Sequence, residues 1–283
     1  MMRSLSEAMN ENLELIENGM KAYLDVGSRP YEALMDSMRY SAYAGGKRVR
    51  PFLTIEVCRM LGGEVRAALP FACAIEMVHT YSLIHDDLPC MDNDVERRGK
   101  PTNHVVFGET TALLSGDALL TYGIRIAAAN PHVFAYNAVE AVKLLADNAG
   151  FDGMIGGQML DLEGEKRPLD RDEHLLMNRL KTGCLIRTAC LLGCLAAGYG
   201  EDTAEYAAMK KYSECIGLAF QIEDDLLDMG SEDNKTTFLT FMTPDEARAR
   251  IDELTECAVN AISSFHRAET LVEFARYLSS RTV

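Results

Sequence analysis

Residues 79–104 read HTYSLIHDDLPCMDNDVERRGKPTNH and set Asp86, Asp87, Asp92 and Asp94 within a few turns of one another, with Arg97, Arg98 and Lys100 directly behind. The fifteen residues that lead into the acids, FACAIEMVHTYSLIH, are almost wholly apolar. That pattern predicts a helix buried on all sides rather than a surface helix with one apolar stripe. Pro89 stops it near Leu88, because a proline pushes the residue before it out of the α region. The first two acids then sit at the mouth of a buried helix, Asp92 returns from the turn that follows, and His79 falls on the face of Asp86 two turns earlier. Four carboxylates so close repel one another unless a cation sits between them. A single acidic cluster is as often a solvated face as a site. Here, however, Mg²⁺ suits the oxygen-only donors, and the arginine forks behind suit phosphate. The stretch predicts a site for a metal-bound diphosphate.

Around it the chain reads as all-α. Its 283 residues, 48% of them hydrophobic, suffice for one large core, and a single domain over 1–283 is expected. Tryptophan is absent, strand-like alternation is scarce, and long Ala-, Leu-, Glu- and Met-rich segments dominate. The net charge of −15 argues against a nucleic-acid partner, which needs a basic footprint. It leaves room for an anionic substrate where metal ions and arginines invert the local field. The eight cysteines have no CxxC spacing and read as reduced, mostly buried thiols. No signal peptide is read at the N-terminus and no apolar run of ~18 residues is found, so a soluble, cytoplasmic protein without stable membrane insertion is expected.

In order, an amphipathic helix is predicted over 4–24, with Leu5, Met9, Leu13, Ile16 and Met20 along its stripe. A short helix follows over 31–43. GGKRVRP at 45–51 reads as an exposed basic turn, either a charged loop or an anion grip that uses Lys47 and Arg50. Helices follow over 51–62, 68–88, 109–128 and 132–149. GMIGGQMLDLEG, residues 153–164, interrupts the pattern with glycines around Gln158 and Asp161. A long helical stretch over 171–198 carries KTG at 181–183. Gly183 costs about 1 kcal/mol there against alanine, and a kink that presents Lys181 and Thr182 to a cavity would account for it; the alternative is a surface lysine and a tolerated glycine. In FQIEDDLLD, residues 220–228, Gln221, Asp224 and Asp228 form one stripe, a second acidic wall after an apolar segment.

GGKRVRP, DDLPCMDNDVERRGKPTNH, GGQMLDL, LKTG and QIEDDLLD, in that order, resemble the trans-isoprenyl diphosphate synthases, most nearly the bacterial farnesyl and geranylgeranyl diphosphate synthases. The resemblance implies the isoprenoid synthase helical bundle around a deep central cavity, as a homodimer. It implies three Mg²⁺ per site, Mn²⁺ being an alternative, on Asp86, Asp87, Asp92, Asp224 and Asp228, with Asp161 near the metals. Arg97, Lys181 and Lys235 would bind the allylic diphosphate, and Lys47, Arg50, His79 and Arg98 the isopentenyl diphosphate. Thr182 and Gln221 would face the forming allylic cation and, with Lys181 on the diphosphate, would make up the catalytic set. Ser82 and Tyr81, four and five residues before the first aspartate, would set chain length. The implied reaction is Mg-dependent head-to-tail condensation of isopentenyl diphosphate with dimethylallyl or geranyl diphosphate, and the Tyr81 ring favours a farnesyl over a geranylgeranyl product. A terpene cyclase or a non-catalytic subunit fits less well, since both acidic motifs and the 47–50 grip are present.

One departure stands out. Only MGSEDN separates Asp228 from Lys235, where the family has a longer connection with a further glycine-lysine pair. Either one lysine has been lost or a loop is missing. The second is favoured, because lids over diphosphate sites are mobile, and it predicts a chain break within 229–234.

Overall fold

The computed structural model describes residues 3–229 and 236–279. Among them the chain is helical almost throughout: α1 (Leu5–Leu24), α2 (Glu32–Ala42), α3 (Val49–Met60), α4 (Val65–Asp86), α5 (Asn103–Phe107), α6 (Glu109–Ala128), α7 (Ala135–Ala149), α8 (Met154–Gly164), α9 (Arg171–Asn178), α10 (Cys184–Ala196), α11 (Ala204–Leu227), α12 (Pro244–Ile262) and α13 (Glu269–Leu278). One two-residue hairpin, β1 (Glu96–Arg97) and β2 (Lys100–Pro101), pairs antiparallel between α4 and α5.

The middle of the bundle is α4, which packs on α1, α2, α3, α6, α7 and α10. Its burial on all sides agrees with its unbroken apolar sequence. Contrary to the expectation that no apolar run was long enough, α4 has the length and apolarity to cross a bilayer; most of it is buried inside the protein, as in a core helix. Helix α6 comes close to it at two glycines. A Cβ on Gly123 would lie 2.9 Å from the Ala74 carbonyl oxygen, and one on Gly116 would overlap the His85 ring.

Local sequence sets the ends. Ser4 caps α1 reciprocally with Glu7, and Asp170 caps α9 with Glu173. The buried face of α1 centres on Ala8, Asn12, Ile16, Gly19 and Met20, so the expected stripe is turned: Leu5, Met9 and Leu13 are only half-buried. Two further expectations fail. Residues 153–164 are not an interruption but helix α8, whose glycines serve close packing. The basic turn is not exposed throughout either. Arg48 caps α3 in a left-handed conformation (φ 45°) and buries its guanidinium 2.6 Å from Glu76 Oε1 and 2.6 Å from the Ala42 carbonyl oxygen. Two buried opposite charges are tolerable only when paired and hydrogen-bonded like this.

The expected kink at KTG is present. Between α9 and α10 the helix widens to a π-turn over Arg179–Gly183. A Cβ on Gly157 of α8 would lie 2.2 Å from the Lys181 backbone nitrogen, so the glycines of GMIGGQ let α8 lie directly on this turn. The eight cysteines are all free thiols, with Cys90 exposed.

Candidate active site

Helix α4 ends at Asp86, with Asp87 as its cap. After Pro89 the chain folds back: the N–H groups of Met91 and Asn93 donate to the Leu88 carbonyl (2.8 and 3.1 Å), and that of Asp92 donates to the Asp86 carbonyl (2.9 Å). This returns Asp92 to Asp86 across five intervening residues. Burial pushes the Asp86 carboxyl up to about 6; Asp92 and Asp87 add repulsion, while Lys181 and Arg97 offset part of it. Asp87 points elsewhere. It is buried, accepts from Arg97 Nε (2.7 Å), and lines a small cleft beside the hairpin with Arg97 and Arg98.

The cationic residues converge from two segments. The Arg98 guanidinium lies on the Gly45–Gly46 turn and donates to the Gly45 carbonyl, and a Cβ on Gly46 would collide with it. Glycine is required at 46 twice over, since φ is also 120°. Arg50 lies nearby with a buried Nε that has no hydrogen-bond partner, and burial pulls its pKa down to about 10. His79 is held well below the ordinary imidazole value by burial and by Arg50, Arg98, Arg48 and Arg97, so the ring is neutral. Lys47 is exposed at the edge of this cluster.

A cavity of about 560 Å³ joins these groups, reached by Arg50, His79, Asp86, Gln158, Lys181 and Thr182. Lys181 Nζ sits 2.6 Å from Asp161 Oδ2 on α8, which holds its charge at the rim. The apolar wall is Met154, Ile155, Met159 and Leu162 of α8 with Leu113 of α6. Tyr81 and Ser82 also line the cavity. Ser82 donates to the His79 carbonyl (2.9 Å), while the Tyr81 ring is 4% exposed, packs edge-on against His85 at 5.7 Å, and has a hydroxyl without a partner.

The second acidic wall lies at the end of α11. Asp228 caps the helix, with its N–H on the Asp224 carbonyl (2.9 Å), and Gln221 Nε2 donates to Asp224 Oδ2 (3.3 Å). Asp225 is turned inward. It accepts the Phe238 N–H at 2.5 Å, and burial, with Asp224 and Asp228 adding to it, pushes it up to about 6. Gln221 opens onto a separate groove of about 610 Å³ between α9, the π-turn, α10 and α11. Among the described residues, no group of three or more His, Cys, Asp or Glu side chains is set to hold a metal. Lys235 and the 230–234 part of the short connection lie outside the described residues.

The polyprenyl synthetase family model matches residues 31–237 of this chain. The chain belongs to the polyprenyl synthetase family, among its short-chain trans-isoprenyl diphosphate synthases. Farnesyl diphosphate synthase of Geobacillus stearothermophilus is 42% identical over 82% of this chain and 78% of its own. Geranylgeranyl diphosphate synthase of Cyanophora paradoxa is 39% identical over 96% and 94%. The crystal structure of an FPP/GFPP synthase from Zymomonas mobilis superposes with a TM-score of 0.91 at 38% identity, covering 98% of this chain and 99% of that one.

In this prenyl diphosphate synthase, sequence reasoning missed three participants. The α8 wall was hidden by reading its glycines as breaks, although Met154, Gln158 and Asp161 already fall on one helical face. His85 was passed over, and its Nε2 lies 3.0 Å from the Leu113 carbonyl oxygen, which ties α4 to α6 under Tyr81. The role of Asp225 in the second motif comes from distant contacts, the Phe238 N–H at 2.5 Å and His174 Nε2 at 3.9 Å.

Proposed function

We propose that this prenyltransferase catalyses the Mg²⁺-dependent head-to-tail condensation of isopentenyl diphosphate with dimethylallyl and geranyl diphosphates, with farnesyl diphosphate as its main product. The observation that supports this product is that Tyr81, five residues before Asp86 on α4, lines the cavity with its ring buried.

The residues fit a hard divalent cation. The fold-back that puts the Asp92 N–H on the Asp86 carbonyl brings two oxygen-donor residues together, and Asp92 adds to the burial that raises the Asp86 carboxyl. Asp224 and Asp228 offer a second pair, whereas Asp87, expected to be a further ligand, is taken up by Arg97. When bound, Mg²⁺ supplies Lewis-acid charge that draws electrons onto the departing diphosphate. Arg97, Lys181 and Lys235 take the allylic diphosphate, with Lys181 handed from Asp161 to phosphate oxygen. Lys47, Arg50 and Arg98 take the isopentenyl diphosphate, beside the neutral His79, which donates one N–H without adding charge. Arg50 Nε and Gln158 Nε2, both buried without partners, have donors to give. Thr182, which lines the cavity, directs its dipole toward the carbon where positive charge develops; Gln221, expected to share that task, opens instead onto the separate groove. The α8 wall keeps water from that carbon, and the departed diphosphate accepts the proton released.

A second copy of this chain would cover the exposed apolar residues Phe134, Val139 and Phe151, giving a homodimer. The reaction belongs to isoprenoid biosynthesis, and the protein to the cytoplasm. Geranylgeranyl diphosphate is the second reading, supported by geranylgeranyl synthases among relatives of similar identity.

The test is to incubate the protein with labelled isopentenyl diphosphate, Mg²⁺ and each allylic primer and to size the products. Fifteen carbons are expected from wild type. Tyr81→Ala removes much of the ~150–250 Å² an aromatic buries and should extend the main product to twenty carbons or more. A folded mutant that still stops at fifteen with excess isopentenyl diphosphate would remove Tyr81 as the floor.

A further inference from the structure

Away from the cavity, α11 and α12 pack along one another, and at the middle of their contact two cysteine sulfurs meet. Cys215 Sγ on α11 lies 3.0 Å from Cys257 Sγ on α12. Two thiols at that separation are in closer contact than the apolar packing of a helix pair requires, since carbon atoms at such contacts sit ~3.5–4 Å apart. A third group completes the cluster. Lys211, one turn before Cys215 on the same face of α11, places its ammonium against both sulfurs, and the two sulfurs together push its pKa upward. The two sulfurs differ in access. Cys215 is 3% exposed, whereas Cys257 is only half-buried.

We propose that Cys215 and Cys257 form an oxidation site, which a hydroperoxide converts to a disulfide between α11 and α12. Cys257 is the entry point because it is the more exposed of the two sulfurs. Its thiolate attacks the terminal peroxide oxygen, the O–O bond breaks, and water (or an alcohol, from an organic peroxide) leaves, so that Cys257 becomes a sulfenic acid. Cys215 then attacks that sulfur, the S–O bond breaks, and the hydroxyl departs as water with the Cys215 proton. Two thiols lose two protons and two electrons, and one hydroperoxide is reduced. Cys215 suits the resolving role. It is buried, donates to Cys257 Sγ, and lies 3.0 Å from it, so it is the sulfur in place to attack as soon as the sulfenic acid forms.

The other cysteines act as internal controls. Cys58, Cys73, Cys184, Cys190 and Cys194 are buried, with thiols that burial pushes upward, and Cys90 is exposed on the loop after α4. The new bond would close a loop between positions 42 apart in sequence and pin α11 six residues before Gln221.

The experiment treats the full chain with hydrogen peroxide, blocks remaining thiols with N-ethylmaleimide in denaturant, and maps tryptic peptides by mass spectrometry. The expected result is that peptides 212–235 and 251–267 are joined, two hydrogens lighter than their sum, while the five buried cysteines and Cys90 carry the maleimide. The melting temperature should rise by about 5 °C and return with dithiothreitol. In Cys215→Ser, peroxide should instead leave Cys257 as a trappable sulfenic acid. Recovery of Cys257 as a maleimide adduct or sulfinic acid while wild-type Cys215 stays free would overturn the proposal, as would pairing of either with another cysteine. The wild-type map decides even if a variant does not fold.

Discussion

The two acidic motifs reach the same arrangement by different routes. At the end of α4, Asp86 and Asp92 are six positions apart and are brought together by a fold-back after Pro89, with Asp92 donating its N–H to the Asp86 carbonyl. At the end of α11, Asp224 and Asp228 are four positions apart and the helix alone aligns them. In both, the second residue of the Asp–Asp pair is committed elsewhere. Asp87 is held by Arg97 and Asp225 by the Phe238 N–H. Each motif therefore keeps one acid as a fastening, while Asp86, Asp92, Asp224 and Asp228 are the acids proposed above to meet a ligand. That division is invisible in the strings DDLPCMD and DDLLD, where all the acids look alike.

The largest expected effect tests the ligand side of this division. Asp86→Asn and Asp224→Asn should each lower kcat by a factor of at least ~10² at saturating Mg²⁺, as the loss of a positioned charge-stabilising group does. Far-UV circular dichroism should be unchanged, and without Mg²⁺ the melting temperature should hold or rise, because a repelled carboxylate has been removed. Near-normal kcat in either mutant would break the comparison.

The fastening side should show in stability. Asp87→Ala leaves the Arg97 guanidinium without its buried partner, and Asp225→Ala leaves the Phe238 N–H unsatisfied; each should cost about 1–3 kcal/mol. Urea denaturation measures this. If Asp86→Ala and Asp87→Ala destabilise equally, the two acids do not differ in role.

How much of this was legible depended on whether the signal was local. The bounds of α6, the presence of α4 and α7 to within three residues at their ends, the return of Asp92 and the kink at Lys181–Gly183 follow from periodicity and from proline and glycine chemistry within a few residues. The misses depend on partners far along the chain. Nothing in GGKRVRP distinguishes Arg48, which burial against Glu76 makes structural, from Arg50 two residues later. The glycines of α8 look like breaks until α8 is seen lying on the Lys181 backbone. The tether of Asp225 comes from thirteen residues away, beyond the connection that the sequence marks as short.

A smaller effect should appear with pH. The folded-state values of Asp86 and Asp225 are both raised to about 6, so the folded chain binds their protons more tightly than the unfolded chain. That contribution to stability is full below the unfolded carboxylate range near 4 and is lost as pH rises through about 6. In EDTA, the melting temperature of wild type relative to Asp86→Asn should therefore fall by a few degrees between pH 4 and 6.5. A difference independent of pH would mean that Asp86 is not raised.

The division of labour within the motifs is tested most directly by counting Mn²⁺ bound per chain in the presence of inorganic diphosphate, using electron paramagnetic resonance of the free ion. Asp86→Asn and Asp224→Asn should each bind fewer ions than wild type, while Asp87→Asn and Asp225→Asn, if folded, should keep more of the wild-type number. Equal loss in all four, or loss only in the second pair, would contradict it.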